Sequence, residues 1–168
     1  MLEQLGVEFD VVPADVEEIE DGDPIEAARE NARRKAAHVA AVRPEDTVLG
    51  VDTVVALDGR IWGKPRDEAH AAETLRALSA RTHEVVSGMA IGQEVDVSIT
   101  RVTFRTVTDG LIQWYVNTGE WRDRAGGYAI QGRGAALVEA IDGDYLNVVG
   151  LPVAQLLARM PGLVGSAR

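Results

Sequence analysis

No cysteine occurs in the chain, which removes disulfides, thiolate metal sites and thiol nucleophiles together and agrees with a reducing compartment. No long uncharged apolar run is present either, so no segment offers itself as a membrane span. The first residues, Met1-Leu2-Glu3-Gln4-Leu5-Gly6, lack the basic stretch followed by an apolar one that marks a secretory signal. A cytoplasmic protein with no membrane partner is the expectation. Positive charge is scarce: 17 Lys and Arg stand against 27 Asp and Glu, for a net charge of −10. So acidic a chain has no broad phosphate-neutralising surface for a nucleic-acid polymer. A small phosphorylated ligand stays open, because a few lysines in a cleft, or a divalent cation held by carboxylates, suffice to bind it.

What is present fits one domain. The 168 residues are 46% apolar and 26% charged, enough for one good hydrophobic core and too little for two ordinary ones. Val7 to Val12 alternates as a short strand. Asp23 can cap a helix that Pro24 opens, with Ile25, Ala28, Ala32, Ala36 and Val39 as its apolar stripe and Pro44 beyond its end. Thr47 to Leu57 is a nearly continuous apolar run, and Asp58-Gly59 suits a hairpin turn into Arg60-Ile61-Trp62. Asp67 to Ala80 returns to helical spacing, and two long strands follow at His83 to Gly92 and Val95 to Thr108. A helix is expected over Asp109 to Asn117, then a glycine-rich stretch from Gly126 to Gly134, a strand from Ala135 to Ile141 and a last helix from Pro152 to Met160. Strands and helices alternate without repeats or linkers, which predicts an α/β fold: a mixed sheet flanked by helices.

Asp52 is the most informative residue, since Gly50-Val51-Asp52-Thr53-Val54-Val55 puts an ionisable side chain in a run otherwise fit for burial. Two roles fit it, a metal ligand or general base, and a strand-end aspartate bonded to backbone amides. Lys64, in Gly63-Lys64-Pro65, either points toward Asp52 or is a solvated turn lysine. The run Asp15, Glu17, Glu18, Glu20, Asp21, Asp23 has the density to hold a hard cation such as magnesium, but as a whole it reads first as a solvated acidic loop, with one member available as a ligand. Lys35 follows Arg33 and Arg34 on the first helix and reads as a surface residue. Within Gly126-Gly127-Tyr128-Ala129-Ile130-Gln131-Gly132-Arg133-Gly134 the glycines permit close approach of a ligand, and the Gln131 amide offers the donor and acceptor that a nucleobase edge needs; a simple turn is the alternative.

Spacing excludes several familiar sites. Gly59 to Lys64 is one residue short of a phosphate-binding Walker loop and is followed by proline. Gly132-Arg133-Gly134 lacks the third glycine of a dinucleotide fingerprint. His38, His70 and His83 have no zinc-ligand spacing and read as surface or capping residues. No Gly-x-Ser-x-Gly elbow occurs, and a haloacid-dehalogenase phosphatase would need a second aspartate at Val54.

Taken together, Gly50 to Val55, Gly63-Lys64-Pro65, Arg81-Thr82-His83-Glu84-Val85-Val86-Ser87-Gly88, Gly119 to Gly132 and Asn147-Val148-Val149-Gly150-Leu151-Pro152 resemble the Maf-type nucleoside triphosphate pyrophosphatases, in one order from Leu2 to Met160. The resemblance implies two lobes around a cleft, an architecture similar to inosine triphosphate pyrophosphatase, and cleavage between the α and β phosphates of a nucleoside triphosphate. It implies Asp52 as proton acceptor, Lys35 and Lys64 as phosphate-binding lysines, and Glu18 with Asp52 beside a divalent metal, Mg2+ or Mn2+. Thr53 and Gln131 match positions that choose the base. Gly-Tyr-Ala-Ile-Gln-Gly is similar to the branch acting on dTTP and UTP; a modified-purine pyrophosphatase acting on 7-methyl-GTP-like substrates and a catalytically impaired nucleotide-binding regulator of cell division are the alternatives. A homodimer would suit the family. The opening strand and Ser-x-Ser-Pro-Arg-Arg loop of the pattern do not precede Met1, so residues 1–168 are read as a single, N-terminally truncated Maf-like domain.

Overall fold

The first long helix is started by two local devices. The Asp23 carboxylate accepts hydrogen bonds from the amides of Ile25 and Glu26, and Pro24 fills the first helical position, where its missing N–H costs nothing. In the computed structural model, which describes residues 1–165, the helices and strands in chain order are α1 (Pro24–Val42), β1 (Leu49–Leu57), β2 (Arg60–Trp62), α2 (Glu68–Leu78), β3 (Thr82–Ile91), β4 (Glu94–Phe104), α3 (Asp109–Val116), β5 (Val138–Asp142), α4 (Tyr145–Val149) and α5 (Val153–Arg159). The expected sheet flanked by helices is there. It has five strands in the order β2-β1-β3-β4-β5, and every pairing is antiparallel. Tight turns account for much of that direction: Asp58 and Gly59, both at positive φ, close the β1–β2 hairpin, and Gly92 with Gln93 closes β3–β4, whereas parallel neighbours need long crossovers.

Alternation along β1 sorts its side chains between two layers. Gly50, Asp52 and Val54 face α1, and Val51, Thr53, Val55 and Leu57 face the other side. On the α1 side contact is backbone-close. A Cβ on Gly88 would lie 2.1 Å from the Ala28 carbonyl oxygen, and one on Gly50 would lie 2.6 Å from that of Ala32. Glycine on the strands and alanine at 28, 32 and 36 on the helix are what let α1 sit this low. The opposite face carries the main core, where Val55, Leu57, Val85, Val102 and Phe104 meet Leu75 and Leu78 of α2, Ile112 and Tyr115 of α3, and Trp121. Each such aliphatic or aromatic side chain contributes about 1.5–3 kcal/mol by leaving water. A second cluster, Met89 with Leu151, Val153 and Leu156, fastens α5 farther along the same face.

Two expectations are corrected, and one element is added. Val7–Val12 is not a strand: it pairs with no strand among the described residues, and Val11 is 81% exposed, since alternation without a ladder partner leaves the backbone to water. Residues 133–137 form a 3-10 turn before β5 begins at Val138. The short helix α4, between Asp144 and Gly150, was not foreseen, because five residues carry too little periodicity to read. For the site, the decisive feature is that β2 pairs with β1 only across Val55–Leu57. The outer edge of β1 from Leu49 to Val54 therefore has no strand neighbour among the described residues, and Asp52 and Thr53 lie on that open edge.

Candidate functional site

Asp52 is 7% exposed, and its carboxylate is met by two side chains of α1. Lys35 Nζ donates to Oδ1 at 2.6 Å, and Asn31 Nδ2 donates to Oδ2 at 3.1 Å. The partners it shows are side chains, and not the backbone amides expected of a strand-end aspartate. Helical spacing puts Asn31 and Lys35 one turn apart on one face. The same Lys35 ammonium lies 2.7 Å from Glu18 Oε1, and Lys64 Nζ lies 3.7 Å from Glu18 Oε2. Four charged side chains from a loop, a helix, a strand and a turn thus converge.

Asn31, 1% exposed, also holds the loop bearing Glu18 in place. Its Oδ1 accepts from the Ile19 amide at 2.8 Å, and its Nδ2 donates to the Ile19 carbonyl at 3.1 Å. Arg34 adds a bond to the Glu17 carbonyl. Of the acidic run, Glu18 alone reaches the lysines; Asp23 caps α1, and Asp15, Glu17, Glu20 and Asp21 lie exposed. Burial works to raise the Glu18 carboxyl, but the hydrogen bonds and charges of Lys35 and Lys64 outweigh it and hold the group below its ordinary value. Burial likewise works to lower the Lys35 ammonium, and its bonds to Asp52 and Glu18 overcome this and raise it. Lys35 is therefore a half-buried, firmly charged cation between two carboxylates, not the surface residue its neighbours suggest.

Two adjoining hollows share Asp52, Thr53, Lys64 and Ala125. One is lined by Glu18, Asn31, Asp52 and Lys64 of the charged cluster and its support. The other, about 180 Å³, is lined by Thr53, Val55, Val85, Arg124, Tyr128, Gln131 and Gly150. That is below the roughly 300–1,000 Å³ of a drug-sized pocket, so it suits part of a nucleotide such as the base. The Thr53 and Ser87 hydroxyls are paired at 2.8 Å on its floor. Gly126 and Gly127, at φ +65 and +67, let the loop close over it: a Cβ on the first would strike Val55 and one on the second Pro65. The Gly126 amide also bonds to the Gly63 carbonyl, which ties the loop to the turn that carries Lys64. A larger hollow of about 800 Å³ runs beside residues 8–12 and the first half of β1. Its cation, Arg43, is taken by Asp10 and Asp46, so it offers no free charge to a phosphate.

Among the described residues no set of three or more His, Asp or Glu side chains is arranged to hold a metal alone. The donors present are two carboxylates separated by one ammonium. Magnesium is commonly held by one or two carboxylates together with substrate phosphates and water, so this set fits a cation that arrives with a triphosphate. Five of the six residues picked from sequence, Glu18, Asp52, Thr53, Lys64 and Gln131, line these two hollows, and the sixth, Lys35, is bonded to Glu18 and Asp52. Sequence reasoning missed Asn31 and Ser87. Asn31 was visible as the polar residue beside an alanine stripe, and Ser87 only through its register opposite Thr53.

A family model described as Maf-like protein matches residues 1–162. Relatives include three proteins named dTTP/UTP pyrophosphatase. The one from Pyrococcus furiosus is 48% identical over 157 residues, covering 89% of this chain and 83% of its own length. The one from Deinococcus radiodurans is 42% identical, covering 99% and 88%, and that from Myxococcus xanthus is 45% identical, covering 94% and 83%.

Proposed function

The chain belongs to the Maf-like protein family, and from that premise we propose that it hydrolyses dTTP and UTP to the nucleoside monophosphate and pyrophosphate. The observation that carries this reading is the buried Asp52 carboxylate, joined to Glu18 through the Lys35 ammonium that both bind, beside a base-sized hollow that holds Thr53 and Gln131.

In this reading the triphosphate lies along the charged hollow with its base in the other. Lys64, already at the mouth, and Lys35 donate to phosphate oxygens. An ammonium has three donors and Lys35 uses two on Asp52 and Glu18, so a phosphate can engage the third and then draw the lysine away. Asp52 Oδ1, once released, accepts a proton from water as the water oxygen bonds to the α phosphorus. The bond from that phosphorus to the bridging oxygen breaks, and pyrophosphate leaves with the electron pair. A general base of this kind supplies about 10²–10⁴ in rate. Glu18 and Asp52 would hold a Mg2+ or Mn2+ ion, whose charge offsets that of the phosphoryl oxygens. Gln131 and Thr53 would meet the imide edge of thymine or uracil, and an edge left unpaired by a wrong base is costly.

A cytoplasmic location goes with that substrate, and no helix among the described residues is long and apolar enough to cross a membrane. A homodimer is the expected assembly, which sedimentation would decide. The activity is tested by incubating the protein with each nucleoside triphosphate and Mg2+ and measuring pyrophosphate: dTTP and UTP should lead. Preference for a modified purine, or tight binding of dTTP without turnover, would overturn the reading.

A further inference from the structure

His83 is 1% exposed, a buried histidine and not the surface or capping residue its sequence context suggests. It lies on β3 beneath the base-sized hollow, one strand repeat from Val85, which lines that hollow. Its Nε2 is 2.8 Å from the Tyr128 hydroxyl, and its Nδ1 has no partner among the described residues. Either tautomer therefore leaves a proton without an acceptor, the Nδ1–H in one case and the Tyr128 O–H in the other. An unpaired buried polar group costs about 1–3 kcal/mol. Phenylalanine at 83 would remove the unpaired ring nitrogen but would leave the buried Tyr128 hydroxyl without the bond it makes to Nε2, so the imidazole is explained by what it does to Tyr128.

Tyr128 starts the turn that presents Gln131. Its ring is locked edge-on against Phe104, centroids 4.9 Å apart, and against His83 at 5.5 Å. The next residue, Ala129, donates its amide to the Tyr115 hydroxyl at 3.0 Å, and the Gly132 amide closes the turn on the Ala129 carbonyl. On the far side Arg133 donates its amide to Glu120 at 2.7 Å. Gln131 itself is exposed, and its side-chain amide has no partner among the described residues. These bonds anchor the turn that carries it, and of them the His83–Tyr128 bond is the one that reaches the sheet.

We propose that His83 is a positioning residue for base selection: by holding the Tyr128 hydroxyl it fixes the turn that presents the Gln131 amide opposite Thr53. The inference rests on the nucleotide reading above, and it assigns to His83 no contact with substrate. Base-edge bonding is sensitive to displacement, because on the order of 1 Å of misplacement costs about 100-fold in a well-oriented site. Loss of one anchor of three should cost about 10-fold in discrimination.

The test measures kcat and KM on dTTP and dCTP, whose base edges exchange donor for acceptor, for the wild type, His83→Phe, Tyr128→Phe, the double variant and His83→Gln. His83→Phe and Tyr128→Phe should each lower the dTTP-over-dCTP ratio of kcat/KM about 10-fold, through KM, with kcat within about twofold. The double variant should be no worse than either single one, and His83→Gln, which keeps a polar group near the hydroxyl, should recover most of the ratio. Val102→Ala, in the same core, should lower the melting temperature and leave the ratio unchanged. An unaltered ratio in Tyr128→Phe, or losses that add in the double variant, would overturn the inference while the nucleotide reading stands. A wild type that turns over neither nucleotide would overturn the reading itself.

Discussion

Replacing Gly88 by alanine puts one methyl group where α1 rests on the sheet. The added Cβ would be 2.1 Å from the Ala28 carbonyl oxygen and 2.5 Å from its carbon, against the 3.4 Å at which ordinary contact begins. The obstacle is backbone, with no flexible side chain to yield, so α1 must retreat by on the order of 1 Å. Asn31 and Lys35 ride on that helix. Their bonds to Asp52, now 3.1 and 2.6 Å, would stretch beyond useful hydrogen-bond range. Overpacking of this severity costs about 3 kcal/mol, the upper end of its usual span, and for a domain of this size lowers the melting temperature by about 6–12 °C. The disturbed site should lose about 100-fold in kcat/KM for pyrophosphate release. Gly110→Ala is the matched control, since its Cβ would meet nothing nearer than 3.9 Å and its φ is ordinary; it should stabilise by a few tenths of a kcal/mol. A Gly88→Ala protein that melts and works like the wild type would refute the claim that this close packing positions the site.

Two further outcomes follow from the same geometry. Burial lowers the His83 imidazole from 6.5 to about 4, so between those values the unfolded chain binds a proton that the folded one does not. Its contribution of about 3 kcal/mol is fully present above pH 6.5 and is lost as the pH falls to 4; urea unfolding at pH 7 and 4.5 should show a smaller acid-induced loss in His83→Gln than in the wild type, and equal losses would contradict it. Lys35→Met leaves the Glu18 and Asp52 carboxylates facing each other without their cation. Mg2+ alone should then raise the melting temperature of the variant by several degrees and that of the wild type by much less, and the reverse order would deny that the lysine holds the cation's place.

Local chemistry made much of this architecture readable. Asp23 and Pro24 announce α1, Asp58-Gly59 announces a hairpin, and the greasy run around Asp52 announces a buried strand with one polar residue that needs partners. Nonlocal facts were not readable. Lys35 looks like its solvated neighbours Arg33 and Arg34 until the helix is laid on Gly50 and Gly88. Asn31 gains meaning only when Ile19 and Asp52 are both within its reach, and His83 was misread because a lone histidine carries no sign of its depth. Val7–Val12 alternates correctly and still forms no strand, since a strand exists only by pairing. The convergence of Glu18, Lys35, Asp52 and Lys64 came from the family resemblance, not from spacing.

The central claim is that Asp52 drives water onto the α phosphorus of dTTP or UTP. Phosphorus NMR of products formed from dTTP with Mg2+ in oxygen-18-labelled water tests it most directly. The account predicts pyrophosphate without label, dTMP carrying the label, and a rate that falls about 10²–10⁴-fold in Asp52→Asn. Release of dTDP and inorganic phosphate, label in the pyrophosphate, or an undiminished rate in Asp52→Asn would contradict it.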